Sequence, residues 1–329
     1  MRLTCALLLT LLCAAPAQAK TFNGMAFAGP TISGDSVVWG TEYSDGTGAV
    51  KVDGRVVARF ERLTGKGEKR QFGGTPGAVS ASATRLAYTL DDSRQLPGGD
   101  GDSGASEVRV QPYLSIAGSP FTNPIGPDCV AAYVSTAIEG DTVVISIYGS
   151  SACAGVYING RKVSAVSNVR QVRIAGPYVA WDEWQGAGEA ITVADAATGA
   201  VLRRFPAPRG KHFDAFDLDE RGNVVTSTGR LVTFNLTDPT PRTLAKKVWG
   251  RVAIAGGRVA YVSPTKTSGP DRLLLIDLRG KVLRRLDRFH DRRQPEGEVA
   301  LTDRWVAWSV KRATYEHPTG PGNVYFERL

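Results

Sequence analysis

An internal repeat is the feature that most constrains how this chain can fold. A short phrase recurs seven times: an apolar residue, a tight turn, then small or branched apolar residues that mostly end in an aromatic side chain. The copies are Ile32–Trp39, Ser82–Tyr88, Ile138–Ile145, Ile174–Trp181, Leu218–Thr226, Ile254–Tyr261 and Leu301–Trp308. The copies are spaced by about 45 residues on average, a period typical of β-sheet units that repeat around an axis.

A second phrase follows most copies and predicts a β-hairpin. It is an alternating run, a turn rich in Asp, Asn or Gly, and another alternating run. The examples are Val50–Val56, Val156–Val163, Ile191–Val201 and Leu275–Val282. Each repeat is therefore predicted to hold four antiparallel strands, which in the sixth repeat are Arg251–Ala255, Arg258–Ser263, Arg272–Leu278 and Lys281–Leu286.

The predicted fold is all-β: a seven-bladed β-propeller of four-stranded antiparallel blades, because no segment reads as a long amphipathic helix. A β-sandwich or two separate β domains is the alternative. The last repeat supplies only three strands, at Glu298–Leu301, Trp305–Val310 and Asn323–Glu327. The N-terminal segment Lys20–Phe27 has no partner of its own, so we expect it to supply the missing outer strand and close the ring.

The sixth repeat, Ile254–Leu286, resembles the WD40-like (PD40-like) repeat of TolB-type propellers. In it a Gly-containing turn leads into an Ala-aromatic strand, an Asp-containing hairpin follows, and the last strand ends in Arg284, Arg285 and Leu286. The same likeness is clear in the first, fourth and seventh repeats. The resemblance implies a structural unit and carries no chemistry with it.

The first residues predict export. Arg2 provides a positive start, Leu3–Leu12 is an apolar run, and Ala17–Ala19 matches a small-residue cleavage site. We expect residues 1–19 to be a signal peptide and residues 20–329 to form a single propeller domain. The mature protein is expected to be secreted or periplasmic, without a transmembrane segment.

Two cysteines remain after the expected cleavage, Cys129 and Cys153. In an oxidising compartment such a pair favours one structural disulfide. Both fall in loops on the same predicted face, the connection into the third repeat and that repeat's central loop. A redox or metal site is the alternative interpretation.

The loops on that face hold the candidate binding residues. Glu42 and Tyr43 follow the second strand of the first repeat, and Asp182, Glu183 and Trp184 follow that of the fourth. Aromatic rings beside carboxylates suit carbohydrate or cationic ligands. Trp39, Trp181 and Trp308 share one repeat position, so packing between blades explains those three better.

A long loop in the second repeat is rich in aspartate. Asp91, Asp92, Asp100 and Asp102 could gather around Ca²⁺, which prefers several carboxylate and carbonyl oxygens. The spacing matches no EF-hand loop, and a flexible polar loop would have the same composition. No other cofactor is predicted.

The charge and the histidines limit the classes of function. The net charge is +8, but much of the basic excess lies on predicted outer strands, where charge blocks edge-to-edge association, so no nucleic-acid partner is expected. The three histidines have no metal-ligand spacing, and no G-x-S-x-G motif occurs. Asp182 and Glu183 are adjacent, so in a strand they point to opposite faces and do not form a glycosidase pair.

The sequence therefore predicts a non-catalytic binding or interaction module, monomeric by default. Its expected partner is a protein or an envelope polymer. A carbohydrate-active enzyme, a glycan hydrolase or lyase using the same face, is the alternative.

Overall fold

The computed structural model describes residues 19–23, 28–43, 45, 47–61, 72–73, 78–92, 106–112, 133–148, 152–185, 188–248, 250–264, 271–289, 293–294, 299–312 and 322–329. In these ranges the regular elements are all β-strands, which form six four-stranded antiparallel sheets and one five-stranded sheet. The described residues include no helix long and apolar enough to cross a membrane.

The sheets follow one another along the chain, each from neighbouring strands. Sheet 1 contains β2 (Ala28–Ser33), β3 (Ser36–Glu42), β4 (Gly48–Val52) and β5 (Arg55–Phe60). Sheet 2 contains β6 (Phe72–Gly73), β7 (Val79–Ala81), β8 (Arg85–Asp92) and β9 (Ser106–Pro112). Sheet 3 contains β10 (Tyr133–Glu139), β11 (Thr142–Tyr148), β12 (Gly155–Ile158) and β13 (Arg161–Ser164).

The second half of the chain continues the pattern. Sheet 4 contains β14 (Val172–Ala175), β15 (Tyr178–Gln185), β16 (Gly188–Asp195) and β17 (Val201–Pro206). Sheet 5 contains β18 (Ala215–Leu218), β19 (Asn223–Ser227), β20 (Leu231–Asn235) and β21 (Arg242–Ala245). Sheet 6 contains β22 (Val252–Ala255), β23 (Arg258–Ser263), β24 (Asp271–Asp277) and β25 (Val282–Phe289).

The remaining sheet, here called the terminal sheet, joins the two ends of the described chain. It contains β1 (Ala19–Asn23), β26 (Arg293–Gln294), β27 (Ala300–Leu301), β28 (Trp305–Arg312) and β29 (Gly322–Arg328). β1 lies antiparallel to β29, with Ala19 opposite Glu327 and Asn23 opposite Asn323. Of the predicted N-terminal strand Lys20–Phe27, residues 24–27 lie outside the described residues.

The all-β propeller architecture is confirmed, but the prediction of seven four-stranded blades needs correction. Six sheets of the described chain have four strands, and the terminal sheet has five. Two sheets have a divided first strand: β6 and β7 pair with opposite ends of β8, and β26 and β27 pair with opposite ends of β28. The sequence period did not reveal this division, because the repeated phrase lies in the turn and second strand.

The predicted hairpin turns are present where Asp or Asn precedes Gly. Asp53 and Gly54 join β4 to β5 with φ of 47° and 83°, and Asn159 and Gly160 join β12 to β13 with φ of 48° and 79°. Two successive positive φ angles match the right-handed twist of the strands, and Asn, Asp and Gly adopt them at least cost.

The core lies between neighbouring sheets. Trp39 packs with residues of the terminal sheet, Trp181 with residues of sheet 3, and Trp308 with residues of sheet 6. Each of these three residues therefore faces a neighbouring sheet, and each is buried. This confirms that their shared repeat position serves packing.

Sheet 1 also contacts the terminal sheet by polar and aromatic groups. The indole Nε1 of Trp305 donates a hydrogen bond of 2.7 Å to Asp35 Oδ1. The rings of Phe22 in β1 and Trp39 lie with centroids 5.3 Å apart. The two ends of the described chain therefore meet against sheet 1.

Candidate functional site

Trp184 is an exposed aromatic residue at the loop end of sheet 4, where loops join the second strand to the third and one sheet to the next. It lies in β15 directly opposite Glu189 in β16, and 42% of it is exposed. Its ring stacks on the imidazole of His212, with centroids 4.7 Å apart and planes at 23°. His212 comes from the connection between β17 and β18, so two separate segments build this aromatic surface.

Two buried carboxylates and one arginine lie behind this stack. Asp182 accepts hydrogen bonds from the backbone N–H groups of Arg170, at 2.9 Å, and Gln171, at 2.7 Å. Arg170 Nε also donates to Asp182 at 3.2 Å, and its other end donates to Glu189. The guanidinium therefore bridges the two carboxylates, which is how buried charges are tolerated in proteins.

Glu189 connects this ion network to the His212 loop. Its Oε2 accepts a 2.9 Å hydrogen bond from the backbone N–H of Phe213 and lies 3.5 Å from His212 Nδ1. Glu189 therefore holds the loop from which the stacking imidazole projects.

Burial dominates the electrostatics of Asp182. Desolvation raises the pKa of this carboxyl above its usual value, while the backbone hydrogen bond from Gln171 and the charge of Arg170 act in the opposite direction. The donors around Asp182 therefore offset part of the cost of burying its charged form, and the net effect is a raised pKa.

The Glu183 side chain lies on the opposite face of β15 from Asp182, as predicted for adjacent residues in a strand. It accepts a 3.0 Å hydrogen bond from Trp181 Nε1 and lies 2.6 Å from Arg204 Nε. Asp182 and Glu183 thus have separate sets of partners, and both are buried. Of the three residues predicted here, Trp184 is the one that is exposed.

The residues predicted in sheet 1 lie elsewhere and are differently surrounded. Glu42 ends β3, opposite Gly48, and is half-buried. The ring of Tyr43 has Lys51 Nζ 5.2 Å and the Arg59 guanidinium 6.0 Å from its centroid. Cations of its own sheet therefore already occupy positions that a cationic ligand would take.

Several predicted residues cannot be judged from the described structure. Cys153 is half-buried, and its carbonyl accepts a 2.7 Å hydrogen bond from the Tyr157 hydroxyl, but Cys129 lies outside the described residues. Their pairing stays a prediction. Asp91 and Asp92 end β8, and Asp100 and Asp102 lie outside the described residues, so the Ca²⁺ site also stays a prediction.

Sequence reasoning missed Arg170, Glu189 and His212 as neighbours of Trp184. No motif marks them, because they come from three separate segments that the fold brings together. It also missed Tyr148, which is 38% exposed at the same repeat position in sheet 3. Aligning the repeats on Trp181 and Ile145 would have found it, since both aromatic residues stand three positions further on.

A central cavity of about 600 Å³ is lined by residues from all the sheets. Its lining includes the turns between first and second strands, at the end of the sheets opposite Trp184. Three of its charged residues link neighbouring sheets: Arg173 Nε lies 3.8 Å from Asp217, Asp217 accepts from the Ile254 N–H at 2.9 Å, and Glu139 accepts from the Gly176 N–H at 2.8 Å. These carboxylates serve structure, so the surface at Trp184 is the better candidate site.

Comparisons with known proteins support the fold. The β-propeller domain of Cps50 (Swd1) from Myceliophteria thermophila matches with a TM-score of 0.53 and 12% identity, over 94% of this chain and 99% of that one. The computationally designed protein Ika8 matches with a TM-score of 0.52 and 14% identity, over 92% and 96%. A prolyl endopeptidase matches with a TM-score of 0.57 and 10% identity, over 88% of this chain but 46% of its own.

At these identities the likeness extends to the fold and no further. No family model matches the chain, and no curated protein does. The fold is that of the β-propellers, the fold that the Cps50 (Swd1) domain adopts. The more specific TolB-type assignment has no support from these comparisons.

Proposed function

We propose that this protein is an exported β-propeller that binds a protein or an envelope polymer through the Trp184 patch, defined as Arg170, Trp184 and His212. The observation that carries the proposal is the exposed Trp184–His212 stack above a buried ion network. Side chains fixed from behind lose little conformational freedom on binding, and exposed aromatic residues with arginine are the usual anchors of interfaces.

The charges around the patch favour a binding role and an anionic or hydrogen-bonding partner. Arg170 and His212 are about half exposed, whereas Asp182 and Glu189 are buried. The accessible groups are thus a cation, an imidazole and an indole. The buried carboxylates are already engaged by backbone N–H groups and by Arg170, which favours a structural role for them over proton transfer to a ligand.

The remaining sequence predictions belong to the same proposal. Residues 1–19 are a cleaved signal peptide, residues 20–329 are one domain of the TolB-like type, and Cys129 pairs with Cys153. The terminal sheet is the seventh blade, and the ring closes between it and sheet 1. The pairing of β1 with β29 and the Trp305–Asp35 hydrogen bond support this closure.

A capture experiment with residues 20–329 tests the function. The chain is immobilised and exposed to envelope extract and to purified wall polymers, with Trp184→Ala and Tyr43→Ala run beside it. We expect one partner to be retained by the unchanged chain and by Tyr43→Ala, and its retention by Trp184→Ala to fall at least about tenfold, as for a hot-spot residue. Equal retention by Trp184→Ala and by the unchanged chain would refute the proposal that the partner binds through the Trp184 patch.

A further inference from the structure

Sheets 4 and 6 carry the same four residues at the same structural position. Val201–Arg204 and Val282–Arg285 both read Val-Leu-Arg-Arg, and each begins the outermost strand of its sheet, β17 and β25. In both strands the pairing register shifts so that the leucine, Leu202 or Leu283, is the extra residue of a β-bulge.

The aliphatic residues of these two units face solvent. Val201 is 58% exposed, and Leu202, Val282 and Leu283 are each 47% exposed. The same bulge occurs in the outer strands of sheets 1 and 5, where the extra residues Val57 and Leu244 are buried. A bulge at this position therefore does not force its extra residue to be exposed. The exposed leucines Leu202 and Leu283 distinguish sheets 4 and 6 from sheets 1 and 5.

The first arginine of each unit fixes the strand to the next sheet. Arg203 donates at 3.2 Å to the carbonyl of Leu236, which directly follows β20 of sheet 5, and Arg284 donates at 3.2 Å to the carbonyl of Arg328 in the terminal sheet. Arg284 also pairs with Glu327. The strands that carry the exposed aliphatic pairs are thus attached to the next sheet by these contacts.

The surface between the two units is cationic. Sheet 5 lies between sheets 4 and 6, and Arg242, Lys246 and Lys247 in and after its outer strand are exposed. The outer segments 201–206, 242–247 and 279–287 contain nine basic residues and one acidic residue, Asp287. Asp287 lies 3.3 Å from the indole Nε1 of Trp308, from which it accepts a hydrogen bond.

We propose that this surface, the outer edge of sheets 4 to 6, docks on a lipid bilayer that contains anionic lipids. Exposed aliphatic side chains can enter the headgroup region while lysine and arginine contact lipid phosphates. The two identical units are separated by a whole sheet and need no matching groove. A fluid anionic surface does not require a fixed spacing between the two units, and a membrane-facing location agrees with the predicted export.

Vesicle sedimentation tests the proposal with residues 20–329. The probes are vesicles of phosphatidylcholine alone and of phosphatidylcholine mixed equally with phosphatidylglycerol. We expect salt-sensitive binding to the anionic vesicles only. Leu202→Asp/Leu283→Asp should weaken it at least about tenfold, through loss of buried apolar area, and Lys246→Gln/Lys247→Gln about fivefold per lysine. The matched control Arg209→Gln/Arg230→Gln removes two exposed arginines at the loop end and should bind as the unchanged chain does.

Three results would overturn the proposal: equal binding to both kinds of vesicle, unchanged binding by Leu202→Asp/Leu283→Asp, or self-association in sedimentation velocity that this variant abolishes without any lipid binding. Unchanged thermal unfolding of the variants controls for misfolding. Trp184→Ala should bind vesicles normally, so failure here is distinguishable from failure of the proposed function.

Discussion

Trp39 in sheet 1 and Trp181 in sheet 4 occupy the same repeat position, and their surroundings differ sharply. Both are buried against a neighbouring sheet. Trp181 Nε1 donates to Glu183 at 3.0 Å, whereas the indole N–H of Trp39 has no acceptor in the described part of the chain. The residue that follows is Gly40 in sheet 1 and the buried Asp182 in sheet 4.

This difference distinguishes the residues that every repeat requires for packing from the charged residues that are present in sheet 4. Packing needs only the large apolar side chain, and sheet 1 provides that without charge. Sheet 4 adds three buried carboxylates, Asp182, Glu183 and Glu189, each of which requires donors from other segments. A buried charge destabilises the fold unless it is paired. We therefore interpret the buried carboxylates of sheet 4 as groups that hold the Trp184 patch in position.

Removing Arg170 should cause the largest difference in unfolding free energy between a change in sheet 4 and a matched change in sheet 1. Arg170→Ala leaves Asp182 and Glu189 without their shared cation, and we expect unfolding free energy to fall by about 3 kcal/mol. The lower part of the usual range applies because the arginine is half exposed. Arg59→Ala in sheet 1, which removes an exposed cation near the Tyr43 ring and the exposed Asp45, should cost about 0.5 kcal/mol. Urea unfolding measures both, and equal losses would show that the network in sheet 4 adds no stability.

Replacing the two tryptophans by phenylalanine should have a smaller effect that differs between the sheets. Trp181→Phe removes a donor from the buried Glu183, while Trp39→Phe removes a donor that has no acceptor in the described residues. We expect Trp181→Phe to cost about 1–2 kcal/mol more than Trp39→Phe, since the loss of ring volume is the same in both. The same urea titrations measure this difference, and its absence would mean that Arg204 alone satisfies Glu183.

Much of the fold could be predicted because the same pattern of strands and turns recurs along the sequence. The hairpins at Asp53–Gly54 and Asn159–Gly160 and the strand Arg258–Ser263 follow from local turn chemistry and alternation. The divided first strands of sheet 2 and the terminal sheet could not be predicted, since β6 and β26 have two residues each and give no periodic signal.

The candidate site was only partly predictable for a different reason. Trp184 stood out as an aromatic residue just beyond the packing position. Arg170, Glu189 and His212 did not, since their contacts depend on how a loop, a strand and a connection from different parts of the chain meet. A charged residue in a loop is usually solvated, so its sequence alone does not show that it pairs with a buried carboxylate.

The smallest effect concerns the pH dependence of stability and contrasts Asp182 with Asp45, which lies in the connection between β3 and β4 of sheet 1. Burial raises the pKa of Asp182 above 3.8, so as pH falls from neutral toward 3.8 the folded chain takes up a proton that the unfolded chain does not. The stability of the unchanged chain relative to Asp182→Asn should therefore rise over that interval and level off below it. Hydrogen bonds from the Thr47 hydroxyl and N–H lower the pKa of Asp45, so stability relative to Asp45→Asn should fall as pH drops below 3.8. Urea unfolding from pH 3 to 7 measures both, and slopes of the same sign would contradict the view that burial dominates in sheet 4 and hydrogen bonding in sheet 1.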